Sequence, residues 1–182
     1  MPRLRHSFGM QRVSIIGCAG AGKSTLATSL VDILGLPVIH LDSHFWQPNW
    51  KETERVVWQL KVGELLTGDA WIMDGNYGGT MAIRVERSDT IIFLDFPRWL
   101  CLFRVCKRAV KYWHRERPDI GKGCREQLPD FQFLKFIWSY RSTRRPGVLE
   151  LLRQNEKEKR VVILRSPSEL AQFVSALPDS SL

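Results

Sequence analysis

The chain has 182 residues, carries 27 Lys and Arg against 19 Asp and Glu for a formal charge of +8, and is 44% apolar. That is one domain of ordinary size with enough apolar mass to build a core, which excludes a disordered chain, and no uncharged apolar run is long enough to cross a membrane. The positive charge is local: residues 98–160 hold 17 Lys and Arg against 7 acidic residues, leaving 10 against 12 in the rest.

The basic start is followed by an apolar run that ends in a glycine-rich loop, so no export leader is expected. Cys18, Cys101, Cys106 and Cys124 form no CxxC pair, which predicts free thiols in a cytoplasmic protein rather than a zinc site. Val13 to Ile16 reads as a first strand. Lys23 to Leu34 reads as a helix with Leu26, Leu30 and Leu34 on one face, closed by Gly35. A second strand, Pro37 to Leu41, precedes an aromatic loop. Asn49 with Glu52 then has the spacing of a capping box, predicting a helix that turns Val56, Val57, Leu60 and Leu65 inward. Ala70–Met73 and Thr90–Leu94 are further strands. From Arg98 to about Lys159 no strand-like run occurs, and several helices are expected, separated by Pro118, Gly121, Gly123, Pro129 and Pro146. Arg160–Leu164 is a fifth strand, and Ser166-Pro167-Ser168-Glu169 opens a last helix through Leu177.

Gly17-Cys18-Ala19-Gly20-Ala21-Gly22-Lys23-Ser24 fits the GxxxxGK[ST] pattern of a phosphate-binding loop, between a strand and a helix as that pattern requires. Small residues let successive backbone N–H groups face phosphate oxygens, and the helix adds the positive end of its dipole. In that role Lys23 reaches the β- and γ-phosphates, Ser24 ligates Mg²⁺ and Thr25 sits beside it. Open parallel sheets place ligands at the carboxyl ends of their strands, and Asp42, Asp74 and Asp95 all end apolar runs there. At least one of the three is expected to serve metal or substrate.

The phosphate loop, Leu41-Asp42 through Trp46-Gln47-Pro48-Asn49-Trp50, Trp71-Ile72-Met73-Asp74-Gly75-Asn76-Tyr77 and Asp89 through Pro97-Arg98 together resemble the bacterial DNA topology modulation protein family, within the adenylate-kinase-like P-loop NTPases. The resemblance implies an α/β three-layer sandwich with a five-stranded parallel sheet in the order 2-3-1-4-5. A nucleotide-binding core of residues 1–97 and 160–182 would carry a helical basic lid at 98–159. It further implies ATP and Mg²⁺, with Asp74 holding the metal through water and Asp42 positioning the acceptor hydroxyl. Where adenylate kinases read DGxPR, this chain reads Asp74-Gly75-Asn76-Tyr77-Gly78-Gly79 and lacks the arginine, leaving Arg84 to grip an acceptor phosphate. The loop Leu164–Ser168 falls where such kinases contact adenine.

Trp46, Trp50 and Tyr77 are candidates for a stacking wall at the acceptor, against the plainer reading as core. Phosphoryl transfer needs in-line positioning, positive charge around the γ-phosphoryl and exclusion of water. A mobile, arginine-rich insert supplies these, with Arg104 and Arg108 on one helical face and Arg141, Arg144 and Arg145 at its far end. The expectation is an ATP-dependent phosphotransferase acting on a small molecule such as a nucleoside or nucleotide, with no membrane partner. The alternative is an ATP-dependent nucleic-acid-binding regulator whose basic segment tracks phosphates while Tyr112, Trp113, Phe131, Phe133, Phe136 and Trp138 stack bases, although no recognised DNA-binding motif accompanies them and Phe133, Ile137 and Tyr140 fall at helical core spacing.

Overall fold

A computed structural model describes residues 9–177. Strand β1 (Arg12–Gly17) is buried from Val13 onward, because parallel strands are covered on both faces and so are written as continuous apolar runs. It pairs with β5 (Trp71–Asp74) on one side and β6 (Thr90–Leu94) on the other; β2 (Val38–His40) and β7 (Arg160–Leu164) form the edges. All pairings are parallel, and the order β2-β5-β1-β6-β7 is 2-3-1-4-5 once the short β3 (Trp46–Gln47) and β4 (Lys51–Glu52), which make a separate hairpin, are set aside.

The first crossover is α1 (Lys23–Leu34), with Leu26 and Leu30 buried, Leu34 partly so, and Gly35 donating its N–H to Val31 O at 2.8 Å. After β2 comes a short helix, α2 (Leu41–Phe45), and after the hairpin α3 (Arg55–Leu65). The capping box at Asn49 does not form. Asn49 and Trp50 take φ of 62° and 60° in the hairpin tip, and the helix starts six residues later behind Glu54. The inward face differs too: Val56, Val57 and Leu60 are 59%, 52% and 67% exposed, while Trp58 and Val62 of α3 and the following Leu66 are buried against Leu41, Trp71 and Met73. Each residue turns the face by about 100°, so Trp58, Val62 and Leu66, four apart, form the buried stripe, and Val56, Val57 and Leu60 fall outside it.

The short α4 (Met81–Arg87) precedes β6. Beyond β6, α5 (Arg98–Lys111) buries Cys101, Val105 and Ala109, one turn apart, and leaves Cys106 exposed. α6 (Phe131–Thr143) is capped by Asp130, whose carboxylate accepts from Phe133 N at 2.7 Å, and α7 (Arg145–Asn155) buries Val148 and Leu152. Pro146 marks the break expected there: α6 ends at Thr143, and Pro146 lies in the first turn of α7, where its missing N–H costs no hydrogen bond. Cys101, Val105, Ile137, Tyr140, Val148 and Leu152 all belong to the main core, shared with the sheet. What stands off that core is the irregular arm 112–130, tied to itself by bridges Trp113–Glu126 and Glu116–Arg125. The final α8 (Pro167–Ser175) is capped by Ser166, whose hydroxyl accepts from Glu169 N, while Glu169 accepts from Arg165 N at 2.8 Å. Among the described residues no helix is long and apolar enough to cross a membrane.

Candidate active site

The glycine-rich loop joins β1 to α1 at the carboxyl edge of the sheet. Its last glycine, Gly22, is the N-cap of α1, and no side chain caps that helix, so its first-turn N–H groups stay open for an anion. Lys23 spans the loop, donating Nζ–H to Cys18 O at 3.1 Å. Gly20 has a steric reason to be glycine: at φ 79° a Cβ would lie 2.3 Å from the carbonyl oxygen of Cys101, so α5 rests directly on the loop. Beside it Arg104 donates to Ala21 O at 3.1 Å and covers the Phe96 ring, which puts its guanidinium at the loop. The Cys18 thiol is buried against that of Cys101, and this contact and burial push it well above its ordinary range, so it stays protonated.

Asp74, the last residue of β5, is 4% exposed and is held from two sides. Ser24 Oγ donates to Oδ2 at 2.7 Å, and His40 Nδ1 lies 2.6 Å from Oδ1. The neighbouring carboxylate raises His40 above its ordinary pKa, outweighing burial, which acts the other way. Mg²⁺ takes oxygen donors at about 2.0–2.1 Å in an octahedron, so adjacent donors sit roughly 2.9 Å apart. The Ser24 and Asp74 oxygens fit one such edge, beside the position for phosphates. His40 escaped the sequence reading, although a signal exists: β2 pairs with β5, and His40 and Asp74 are direct neighbours in that register.

Beyond the end of β2, Asp42 lies in the first turn of α2 and accepts from the Tyr77 hydroxyl at 2.5 Å. Burial holds Tyr77 far above the usual phenol range, so its hydroxyl stays protonated and donates to Asp42. Tyr77 packs against Phe45 and Trp58, with ring centroids 4.7 and 4.8 Å away, and Trp46 stands edge-on to Phe45. Tyr77 thus lies by Asp42, while Trp46 stands between Phe45 and Trp50, its ring centroid 5.4 Å from that of Trp50. The Trp50 indole donates to Arg125 O at 2.7 Å at the hairpin tip. His44 is exposed and makes none of the site's hydrogen bonds among the described residues.

Arg84 is not placed to grip an acceptor phosphate. It has no accessible surface, and its two terminal nitrogens donate to Gly75 O and Tyr77 O at 3.1 and 3.0 Å, holding the turn after β5 in shape. Two lid arginines are also engaged within the protein: Arg145 forks onto Asp95 at 2.7 and 2.8 Å, and Arg108 donates to Glu126 at 3.1 Å. Arg141 is exposed at a narrow cleft lined also by Cys18, Asp95 and Arg98.

No family model and no curated protein matches the chain, so the resemblance to the DNA topology modulation family rests on its motifs alone. Solved structures do match in shape. They include a shikimate kinase from Acinetobacter baumannii in complex with shikimate, at 19% identity over 91% of this chain and 89% of that one with a TM-score of 0.58. A gluconokinase from Sinorhizobium meliloti 1021 matches at 17% over 92% and 89% with 0.53, and a deoxyadenosine kinase from M. mycoides with bound dCTP at 14% over 91% and 97% with 0.51. The chain has the fold of the P-loop kinases.

In this P-loop kinase fold the arm 112–130 crosses to the aromatic hairpin and is latched there by backbone. Asn49 N–H donates to Gly123 O at 3.0 Å, the Cys124 thiol donates to Gln47 O at 3.1 Å, and the Trp50 indole bonds Arg125. Gly121 packs so closely that a Cβ would lie 2.4 Å from Trp46 O. A Cβ there would also lie 3.3 Å from Ser43 O, so the arm lies beside α2, and Arg117 and Asp119 are within electrostatic reach of Asp42 and His40 respectively.

Proposed function

We propose that the protein is an ATP-dependent phosphotransferase that moves the γ-phosphoryl group to a hydroxyl of a small molecule. The observation that carries this reading is the 2.7 Å link between Ser24 and Asp74 at the lip of an uncapped phosphate loop, with a second carboxylate, Asp42, on the neighbouring helix. The acceptor oxygen attacks the γ-phosphorus, the bond to the bridging oxygen breaks, and ADP leaves with that oxygen. Asp42 orients the hydroxyl and takes its proton, with Tyr77 holding the carboxylate in place. Loop N–H groups, Lys23 and Arg104 hold the phosphates. Mg²⁺, held by Ser24 and Asp74, would neutralise charge on the β- and γ-oxygens. The arm 112–130 excludes water; α5, α6 and α7, being part of the core, are its base, so the moving lid is narrower than 98–159.

An ADP-release screen over nucleosides, sugars and small hydroxy compounds identifies the acceptor. Asp42→Asn is expected to lower kcat/KM for it by roughly 10²–10⁴-fold with ATP affinity unchanged. An undiminished rate in that variant contradicts the role given to Asp42.

A further inference from the structure

A helix on the outside of a globular domain turns its polar side to water. Along one line α5 does not. Trp99, Phe103, Cys106 and Val110 follow at spacings of four, three and four residues, which puts them on one face, and all four are exposed, the three large ones between 63% and 71%. The buried side of the helix is a different set, Cys101, Val105 and Ala109. The neighbouring α6 extends the apolar line: Trp138 sets its ring edge-on to Trp99 with centroids 4.5 Å apart, and Phe131, two turns earlier on the same face of α6, is 79% exposed.

The charges around this line are of one sign. α5 carries five basic residues and α6 two, and neither carries an acidic one. Lys107, Lys111 and Lys135 are exposed, and the Arg98 guanidinium lies 4.3 Å from the centre of the Trp138 ring. None of these four is paired with a carboxylate among the described residues. An apolar face bordered by unpaired cations calls for a partner that is apolar and anionic at once. A second copy of this chain is the wrong partner, because a two-fold contact through this face sets cations against cations on two chains of charge +8. A bilayer containing anionic lipid offers both properties in one plane. Trp and Phe settle at the boundary between headgroups and acyl chains, while lysine stems follow the apolar surface and their ammonium groups reach lipid phosphates.

We propose that the outer face of α5 and α6 docks on the surface of an anionic lipid bilayer, lying on it without spanning it. Such docking needs no transmembrane run, departs from the expectation of no membrane partner, and stands independently of the phosphotransferase reading. Cys106 gives a direct readout, since it sits within the line while Cys18, Cys101 and Cys124 are buried. Nitrobenzoxadiazole attached to Cys106 of the full chain is titrated with vesicles of phosphatidylcholine alone and of equimolar phosphatidylcholine and phosphatidylglycerol. Brighter, blue-shifted emission is expected with the anionic vesicles at low salt, and binding at least about tenfold weaker to the neutral ones. In co-sedimentation of unlabelled protein with the anionic vesicles, Phe103→Ser with Val110→Ser, and separately Lys107→Gln with Lys111→Gln, are each expected to weaken binding by about tenfold or more. The lysine pair leaves the packed interior untouched, so misfolding does not imitate its effect. Val56→Ser with Leu60→Ser, an equally exposed apolar pair on α3, is expected to leave binding within about twofold. Equal affinity for neutral and anionic vesicles, or an equal loss in the α3 variant, overturns the proposal. So does a lack of vesicle binding accompanied by binding of a single-stranded oligonucleotide, or by dimerisation in sedimentation equilibrium, that the α5 variants lose: the face would then serve nucleic acid or a second copy.

Discussion

Arg84 shows how a residue type can be read correctly as important and wrongly as functional. Burial pulls its guanidinium down to about 10, and its bonds to Gly75 O and Tyr77 O set the turn that carries Tyr77 to Asp42. Nothing in the sequence separates a buried arginine from a ligand-binding one, because the distinction lies in what the fold packs around it. Arg84→Ala leaves two carbonyls unbonded and a cavity, and is expected to cost about 2–4 kcal/mol in urea unfolding; unchanged stability with a raised acceptor KM would instead make it a ligand clamp. His40 gives a pH test. Its pKa is raised in the folded state, so the stabilisation from its contact with Asp74 is fully present below its ordinary value and is lost as pH rises through the raised one. Without Mg²⁺, the stability gap between wild type and His40→Gln should therefore be wider at pH 5.5 than at pH 8.5, and a gap that widens with pH would contradict the assignment.

Among the elements, the five core strands and α1 were legible because each is a short apolar run or a clear 3.6-residue pattern bounded by glycine, and the Ser166 cap was legible because its donors and acceptors are local. The hairpin was not. Asn-x-x-Glu is written the same way for a helix cap and for a turn, and here the choice falls to residues more than 70 positions away: Gly123 O accepts from Asn49 and Arg125 O from Trp50, stabilising positive φ at both. That docking makes its own prediction. Gly121→Ala places a methyl against Trp46 O, so the arm should detach; trypsin should cut within 112–130 faster than in wild type, with ATP affinity held within about twofold. Equal cleavage rates would mean that the arm does not depend on this contact.

For the whole molecule, the surplus of positive charge changes meaning once it is placed. Within the basic segment Arg108, Arg117, Arg145 and Arg153 are paired with Glu126, Asp95 or Glu150, and Ile137 and Tyr140, read as core by spacing, are buried. Part of the segment's charge is therefore neutralised inside the chain, and the apolar side chains on its inner faces are packed into the core. The sequence made the phosphate loop and Asp74 plain, because backbone chemistry fixes the one and strand position the other. It left open how Asp42, Tyr77, Arg117 and Glu126 meet, since that depends on an irregular arm with no period to read.

The central claim is that this loop and these carboxylates move phosphate from ATP to a hydroxyl. Its most direct test is single-turnover transfer of the labelled γ-phosphate, comparing wild type with Lys23→Ala. The label is expected to appear on the acceptor in wild type, with free phosphate a minor product, and to stay on ATP in the variant; label released only as inorganic phosphate, or transfer unaffected by the loss of Lys23, would contradict it.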